Sequence, residues 1–165
     1  MKKYTLPYFG ELDLSKDDYY FEADASINES NFTIDIDFED EEPSEEALDR
    51  IKQFLLQLPS YLNKVKGYID QEFSKSSGFV SDYISFFKEA IEENGDLDEY
   101  IDENNSDKSV EEQLLNQLYL LRIGIYSNGG VFAVLDYTID DEYTDDLLVV
   151  YLTDKGELDG MTIES

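Results

Sequence analysis

Histidine, cysteine and tryptophan are absent from the 165 residues, and basic residues are scarce: 12 Lys and Arg stand against 40 Asp and Glu. Without His or Cys there is no Ser-His-Asp triad, thiol nucleophile, disulfide, iron–sulfur cluster or Cys/His zinc site. What remains is carboxylate, hydroxyl and backbone chemistry, and no spacing of these marks a catalytic residue, a metal site or a cofactor. Apolar runs of the roughly 20 residues that a bilayer span needs are also missing. The opening Met1-Lys2-Lys3-Tyr4-Thr5-Leu6-Pro7 lacks the apolar core and small-residue cleavage site of a secretory signal. The expectation is a cytoplasmic protein with no membrane partner.

The formal net charge is -28. A folded chain of this length exposes roughly 8,400 Å², which spaces net charges about 17 Å apart. Physiological salt screens charges beyond about 8 Å, so the repulsion permits folding. The field still repels DNA, RNA and anionic lipid, which argues against nucleic-acid binding and favours a basic protein partner or a divalent cation. High charge with few aromatics would point to disorder. Here 14% of residues are Phe or Tyr and 41% are hydrophobic, enough for a packed core.

The first third alternates with period two. Tyr19, Phe21, Ala23 and Ala25 interleave with polar residues, and so do Phe32, Ile34, Ile36 and Phe38. Such alternation predicts half-buried antiparallel strands. A loop over 27–30 sets Ser26 opposite Asn31, Ala23 opposite Ile34 and Phe21 opposite Ile36, which gathers the apolar set on one face. Tyr4 to Phe9, ahead of a Gly10 turn, is read as a further strand. From Pro43 the period becomes helical: Ser44 caps a helix with the stripe Ala47, Ile51, Phe54, Leu55 and Leu58. Pro59 ends that helix or starts the next. Two more stripes run through Tyr61, Val65, Tyr68, Ile69, Phe73 and through Val80, Ile84, Phe87, Ile91, and Asn94-Gly95 stops the third. A short acidic helix around Leu97, Tyr100 and Ile101, an exposed loop over 102–107 and a Ser109–Glu112 capping box follow.

The last third returns to strands. Around Asn128-Gly129-Gly130, a three-residue loop sets Ile125 against Ala133, Ile123 against Leu135 and Arg122 against Asp136. That separates polar from apolar better than a two-residue turn. Leu147 to Leu152, apolar on both sides, is read as a central strand covered on both faces. Asp154-Lys155-Gly156 turns the chain into a final strand from Leu158 to Ile163. Strands, then helices, then strands predict one α+β domain over residues 1–165. Its form is a two-layer sandwich, a mostly antiparallel sheet of about six or seven strands with three or four helices on one face.

Three places invite a functional reading. The outer face of the first hairpin carries Glu22, Asp24, Asp35, Asp37 and Glu39, with Glu22 opposite Asp35. Like charges so placed cost roughly 0.2–1 kcal/mol, so the face is either a docking patch for a basic partner or a solvated face in an acid-rich chain. The loop with Asp140, Asp141 and Glu142 offers carboxylates to the same partner or to calcium. No EF-hand spacing is present, since the sixth positions from Asp96 and Asp102 are Ile101 and Asp107. Arg122 and Asp136, set within apolar strands, form a structural ion pair. Leu120, Tyr126, Phe132 and Val134 are expected to share their face and, if uncovered, to offer an apolar patch for homodimerisation or partner binding.

Several segments belong to one wider pattern: Tyr8-Phe9-Gly10-Glu11, Leu121-Arg122-Ile123-Gly124-Ile125-Tyr126, Phe132 to Ile139, Gly156-Glu157-Leu158 and Glu164-Ser165. Together they resemble the bacterial domain-of-unknown-function family numbered two thousand and four. The resemblance implies an α+β two-layer sandwich and, through related small acidic domains, the setting of immunity proteins in bacterial toxin systems. It supplies no catalytic residue. The expected function is therefore a non-enzymatic inhibitor that occludes a basic toxin or nuclease. The alternatives are a divalent-metal-binding or carboxylate-dependent hydrolase and a self-associating structural domain.

Overall fold

A computed structural model of the chain describes residues 3–75, 77–105, 107–128 and 130–165. The period-two segments become strands β3 (Tyr20–Ile27) and β4 (Ser30–Asp37), and the registers Ala23 to Ile34 and Phe21 to Ile36 hold. The turn is shorter than the four residues read from sequence. Ile27 pairs with Ser30, leaving Asn28 and Glu29 alone, both at positive φ (51° and 68°). Left-handed conformation at both central residues matches the twist of the two strands.

The helical stripes become α1 (Glu45–Leu56), α2 (Leu58–Phe73) and α3 (Phe79–Glu93), followed by the short α4 (Leu97–Tyr100) and α5 (Val110–Leu115). Ser44 Oγ accepts from the Ala47 N–H at 3.0 Å, and Ser109 Oγ accepts from the Glu112 N–H at 3.1 Å. Pro59 falls in the first turn of α2, where its missing N–H costs nothing. Ser44→Ala is expected to lower stability by about 1 kcal/mol, read as a lower urea midpoint at unchanged slope, with Ser44→Asn retaining most of it.

Four further strands complete the main sheet: β5 (Tyr119–Tyr126), β6 (Ala133–Thr138), β7 (Leu147–Leu152) and β8 (Leu158–Glu164). Its order is β3-β4-β5-β6-β7-β8. All neighbours run antiparallel except β4 and β5, which are parallel because the whole helical block is inserted between them. Ile123 pairs with Leu135, Ile125 with Ala133 and Arg122 with Asp136, the register of the longer loop. Of that loop, Gly129 lies outside the described residues.

Three expectations need correction. The strand read over Tyr4 to Phe9 is β1, Lys3–Leu6. The chain turns through Tyr8 (φ 71°), and Gly10 begins a partner strand β2, Gly10–Asp13. This pair forms its own two-stranded sheet, which seats Leu6, Leu12 and Leu14 in the core and joins α1 through the Tyr4–Asp49 hydrogen bond. Second, β7 does lie inside the sheet, between β6 and β8, but among the described residues no helix covers its outer side. Leu148, Val150 and Leu152 are buried beneath the helices, but Val149 is buried between its cross-strand neighbours Asp136 and Thr162. Third, a β-bulge between Leu120 and Arg122 breaks the alternation of β5. Leu120 pairs with Tyr137 on the helix side, although counting by twos from Arg122 would place it outside.

The core lies between sheet and helices, where Ile34, Ile36, Leu48, Ile51, Phe54, Val80, Ile84, Ile123 and Leu135 are all fully buried. Among the described residues no second layer packs on the opposite sheet face. That uncovered face is what sets the functional question.

Candidate functional site

Pairing across the sheet arranges the uncovered face in rows. One row runs Glu22, Asp35, Gly124, Val134, Tyr151, and the next runs Asp24, Thr33, Arg122, Asp136, Val149, Thr162. Tyr20, Asp37 and Tyr126 form a third at the β3 edge. Arg122 stands at the centre. Its Nε donates to Asp35 Oδ2 at 2.5 Å and its Nη2 to Asp35 Oδ1 at 2.8 Å, while Nη1 donates to Asp136 Oδ2 at 3.2 Å. Two parallel bonds to one carboxylate are the geometry in which a guanidinium binds most tightly.

Gly124 makes this possible. A Cβ there would come 2.8 Å from Arg122 Nη2 and 3.2 Å from both Cζ and the Tyr126 hydroxyl, so the guanidinium lies flat across strand β5 only because position 124 has no side chain. The alternation Arg122, Gly124, Tyr126 is therefore one device. Both aspartates pass out of solvent, Asp35 to 3% and Asp136 to 7% exposure, while the arginine side chain keeps 34%. Burial holds the Asp136 carboxyl above its usual range against the opposing pull of Arg122, and the Asp35 carboxylate, helped by the Tyr126 hydroxyl, raises the guanidinium further above its own.

Asp35 is thus not a partner-facing carboxylate as the hairpin pattern suggested. Arg122 reaches from β5, a strand remote in sequence, and consumes its charge. This also explains how Glu22 and Asp35 stand opposite each other: one of the two like charges is neutralised. Glu22 and Asp24 remain exposed, and Asp37 is half-buried and accepts the Glu39 N–H at 2.8 Å. Glu39 sits beyond the end of β4 in a left-handed turn with Asp40 (φ 55° and 62°). Glu164 of β8 and the half-buried Tyr126 and Tyr151 join the face, as does Tyr20 at 45% exposure. These were missed from sequence except Tyr126, though their parity on the strands is the signal that places them.

Asp140, Asp141 and Glu142 are not brought to this face. The loop between β6 and β7 is tied to the helix layer and to the start of β5 by phenols. Tyr100 donates to Asp140 at 2.8 Å, Tyr119 donates to Asp141 at 2.5 Å, and the Tyr143 hydroxyl accepts from Asn94 of the α3 C-terminus at 2.7 Å. Burial, then the adjoining carboxylate, pushes Tyr119 up to about 12 and raises Tyr100, so both stay protonated donors at neutral pH. Asp140 also accepts the Glu142 N–H at 3.0 Å. These carboxylates fasten the loop, leaving the exposed Glu142 side chain free of any such bond among the described residues. Among the described residues no group of three or more acids is placed to hold a metal ion.

The proposed dimer patch is also divided. Tyr126 and Val134 lie on the uncovered face, but the bulge turns Leu120 inward and Phe132, just ahead of β6, packs edge-on against Phe54 of α1 at 5.1 Å. What the uncovered face offers is carboxylates and tyrosines around a neutralised arginine, not a continuous apolar patch.

Among the described residues no helix is long and apolar enough to cross a membrane. No family model, curated protein or solved structure matches the chain.

Proposed function

We propose that the protein is a non-enzymatic acidic binding protein of the immunity type, whose uncovered sheet face docks a basic toxin or nuclease and covers the sites where that partner holds its anionic substrate. The observation that carries this reading is the charge of that face. Glu22, Asp24, Asp37 and Glu164 stand on it, and Arg122, the basic residue that the strand pairing places there, is spent on Asp35 and Asp136. Basic side chains gather instead on the helix layer: Arg50 and Lys52 on α1, Lys64 and Lys66 on α2. The sheet face therefore carries exposed carboxylates whose one cross-strand arginine is already committed, and within about 8 Å such charges act on a basic partner with little screening. Tyr20, Tyr126 and Tyr151 add the amphipathic rings that interfaces favour. The resemblance of the strand segments to the family with immunity-type relatives supports the toxin context.

The test is association with the basic proteins encoded beside its gene, followed by stopped flow at low and physiological salt. Association is expected to fall by about ten- to a hundredfold as salt rises. The double variant Glu22→Lys/Asp24→Lys should slow it by at least about tenfold at low salt. The same change in net charge on α1, Glu45→Lys/Glu46→Lys, should leave it within about twofold. Equal losses from both pairs, or rates indifferent to salt, would overturn the assignment of the sheet face.

A further inference from the structure

The helix side of the sheet holds a cleft of about 410 Å³ at the strand ends, between α2, the β3–β4 turn and the segment joining α5 to β5. Leu62, Lys66 and Ile69 line it from one stripe of α2, and Leu118 and Leu120 face them from the start of β5. Leu120 is there because the bulge turned it inward. Tyr137 of β6, 8% exposed, also lines the cleft. Among the described residues its hydroxyl has no hydrogen-bond partner, yet no buried side-chain oxygen in them is left both enclosed and unpaired. The hydroxyl must therefore open into the cleft. Tyr83, the other deeply buried tyrosine, differs: its hydroxyl bonds Thr138 and the Ile139 N–H.

A hydroxyl that opens into the cleft without a protein partner bonds whatever fills the cleft, water or a guest that can accept from it. Burial raises the Tyr137 hydroxyl well above its usual value, so it is a donor at every physiological pH. The lining is mixed: Ile27, Leu62, Ile69, Leu115, Leu118 and Leu120 supply its apolar part, Asn28, Ser30, Asn63 and Asn116 its neutral polar part, and Lys66 and Asp70 stand one turn apart on α2. Lys66 and Asp70 are exposed and keep their hydration, so among the described lining residues no buried charge waits to be matched by an ionic guest. The volume is within the range of small-molecule sites.

We propose that this cleft binds a small uncharged organic molecule with an apolar body and one carbonyl-type acceptor, which takes the Tyr137 hydroxyl proton in a hydrogen bond. The site lies on the helix side, so it is independent of the docking face and stands or falls separately.

Acetophenone and ethylbenzene, a ketone and a hydrocarbon of similar shape, are the probes, titrated into isotopically labelled full-length protein and followed by amide shifts. Saturable shifts are expected at Asn28, Lys66, Asn116 and Leu120, with the ketone bound more tightly. Tyr137→Phe should weaken acetophenone by roughly three- to tenfold and leave ethylbenzene unchanged. Its melting temperature should not fall, since the hydroxyl it loses has no partner in the protein. Asn63→Trp, at an exposed position on the rim, should weaken both probes. The proposal is overturned if neither probe saturates, if the shifts lie elsewhere, if Tyr137→Phe binds both probes as wild type does, or if that variant melts markedly lower.

Discussion

Arg122→Ala is expected to cost about 3 kcal/mol of stability, the low end of the range for breaking one side of a buried ion pair. The low end applies because the arginine side chain is 34% exposed, so water can partly replace it. The cost arises from what stays behind: Asp35 and Asp136 keep their charges in a place that solvent scarcely reaches. Arg122→Lys should recover only part, because an ammonium cannot span both Asp35 oxygens while reaching Asp136. Arg122→Met with Asp35→Asn and Asp136→Asn, which removes the charges together, should regain most of the loss. Urea unfolding measures each, and a loss below about 1 kcal/mol for Arg122→Ala would show the cluster to be an ordinary surface pair.

The pH dependence of that variant has a definite sign. The Asp136 carboxyl holds its proton more tightly in the folded protein than in the unfolded chain. Wherever the native state binds more protons, stability falls as pH rises, so this group's contribution is present below the ordinary aspartate value and is lost as pH climbs through the raised one. Arg122 is charged throughout and adds no slope of its own. Without its opposing pull the raised value climbs further. The deficit of Arg122→Ala relative to wild type should therefore be greatest near neutrality and shrink on acidification, as the stranded Asp136 carboxylate takes up its proton. A deficit that stays constant from neutral to acid pH would contradict this cause.

Gly156→Ala is the second large effect, expected at about 2–5 kcal/mol. Two costs combine. Gly156 has φ +74°, where a Cβ costs roughly 1–2 kcal/mol. That Cβ would also fall 2.3 Å from Tyr61 Cδ1 and 2.5 Å from its Cγ. The Tyr61 ring is packed on Phe54 at 5.3 Å between centroids, so it cannot yield without disturbing the core, and overpacking of this kind costs about 1–3 kcal/mol. A double-mutant cycle separates the two. In a Tyr61→Ala background Gly156→Ala should cost only the backbone share, and an undiminished cost there would show that the ring does not press on the β7–β8 turn.

Hairpin register was readable because one face of β3 and β4 must be apolar, and shifting by one residue would expose Phe21, Ile34 and Ile36 together. The register of β5 on β6 was readable for the same reason. Where a residue's fate depended on a remote strand or a broken alternation, reading by twos failed. Asp35 looked like a solvent-facing acid until Arg122 arrived from 87 positions away. Leu120 looked outward until the bulge turned it in. Asp140 and Asp141 looked like free ligands until Tyr100 and Tyr119 bonded to them.

By itself, then, the order of residues determined the α+β class, the strand and helix stripes, two strand registers, the Ser44 and Ser109 caps and the exclusion of thiol and imidazole chemistry. These are local or periodic properties, settled by composition and by the need to bury one face. Only the tertiary structure decided which acids are neutralised, which sheet face lies bare and that a tyrosine hydroxyl opens into a cleft beneath α2. Those outcomes depend on distances between segments far apart along the chain. No pattern within a single segment encodes such a distance, because it is set by how the layers pack.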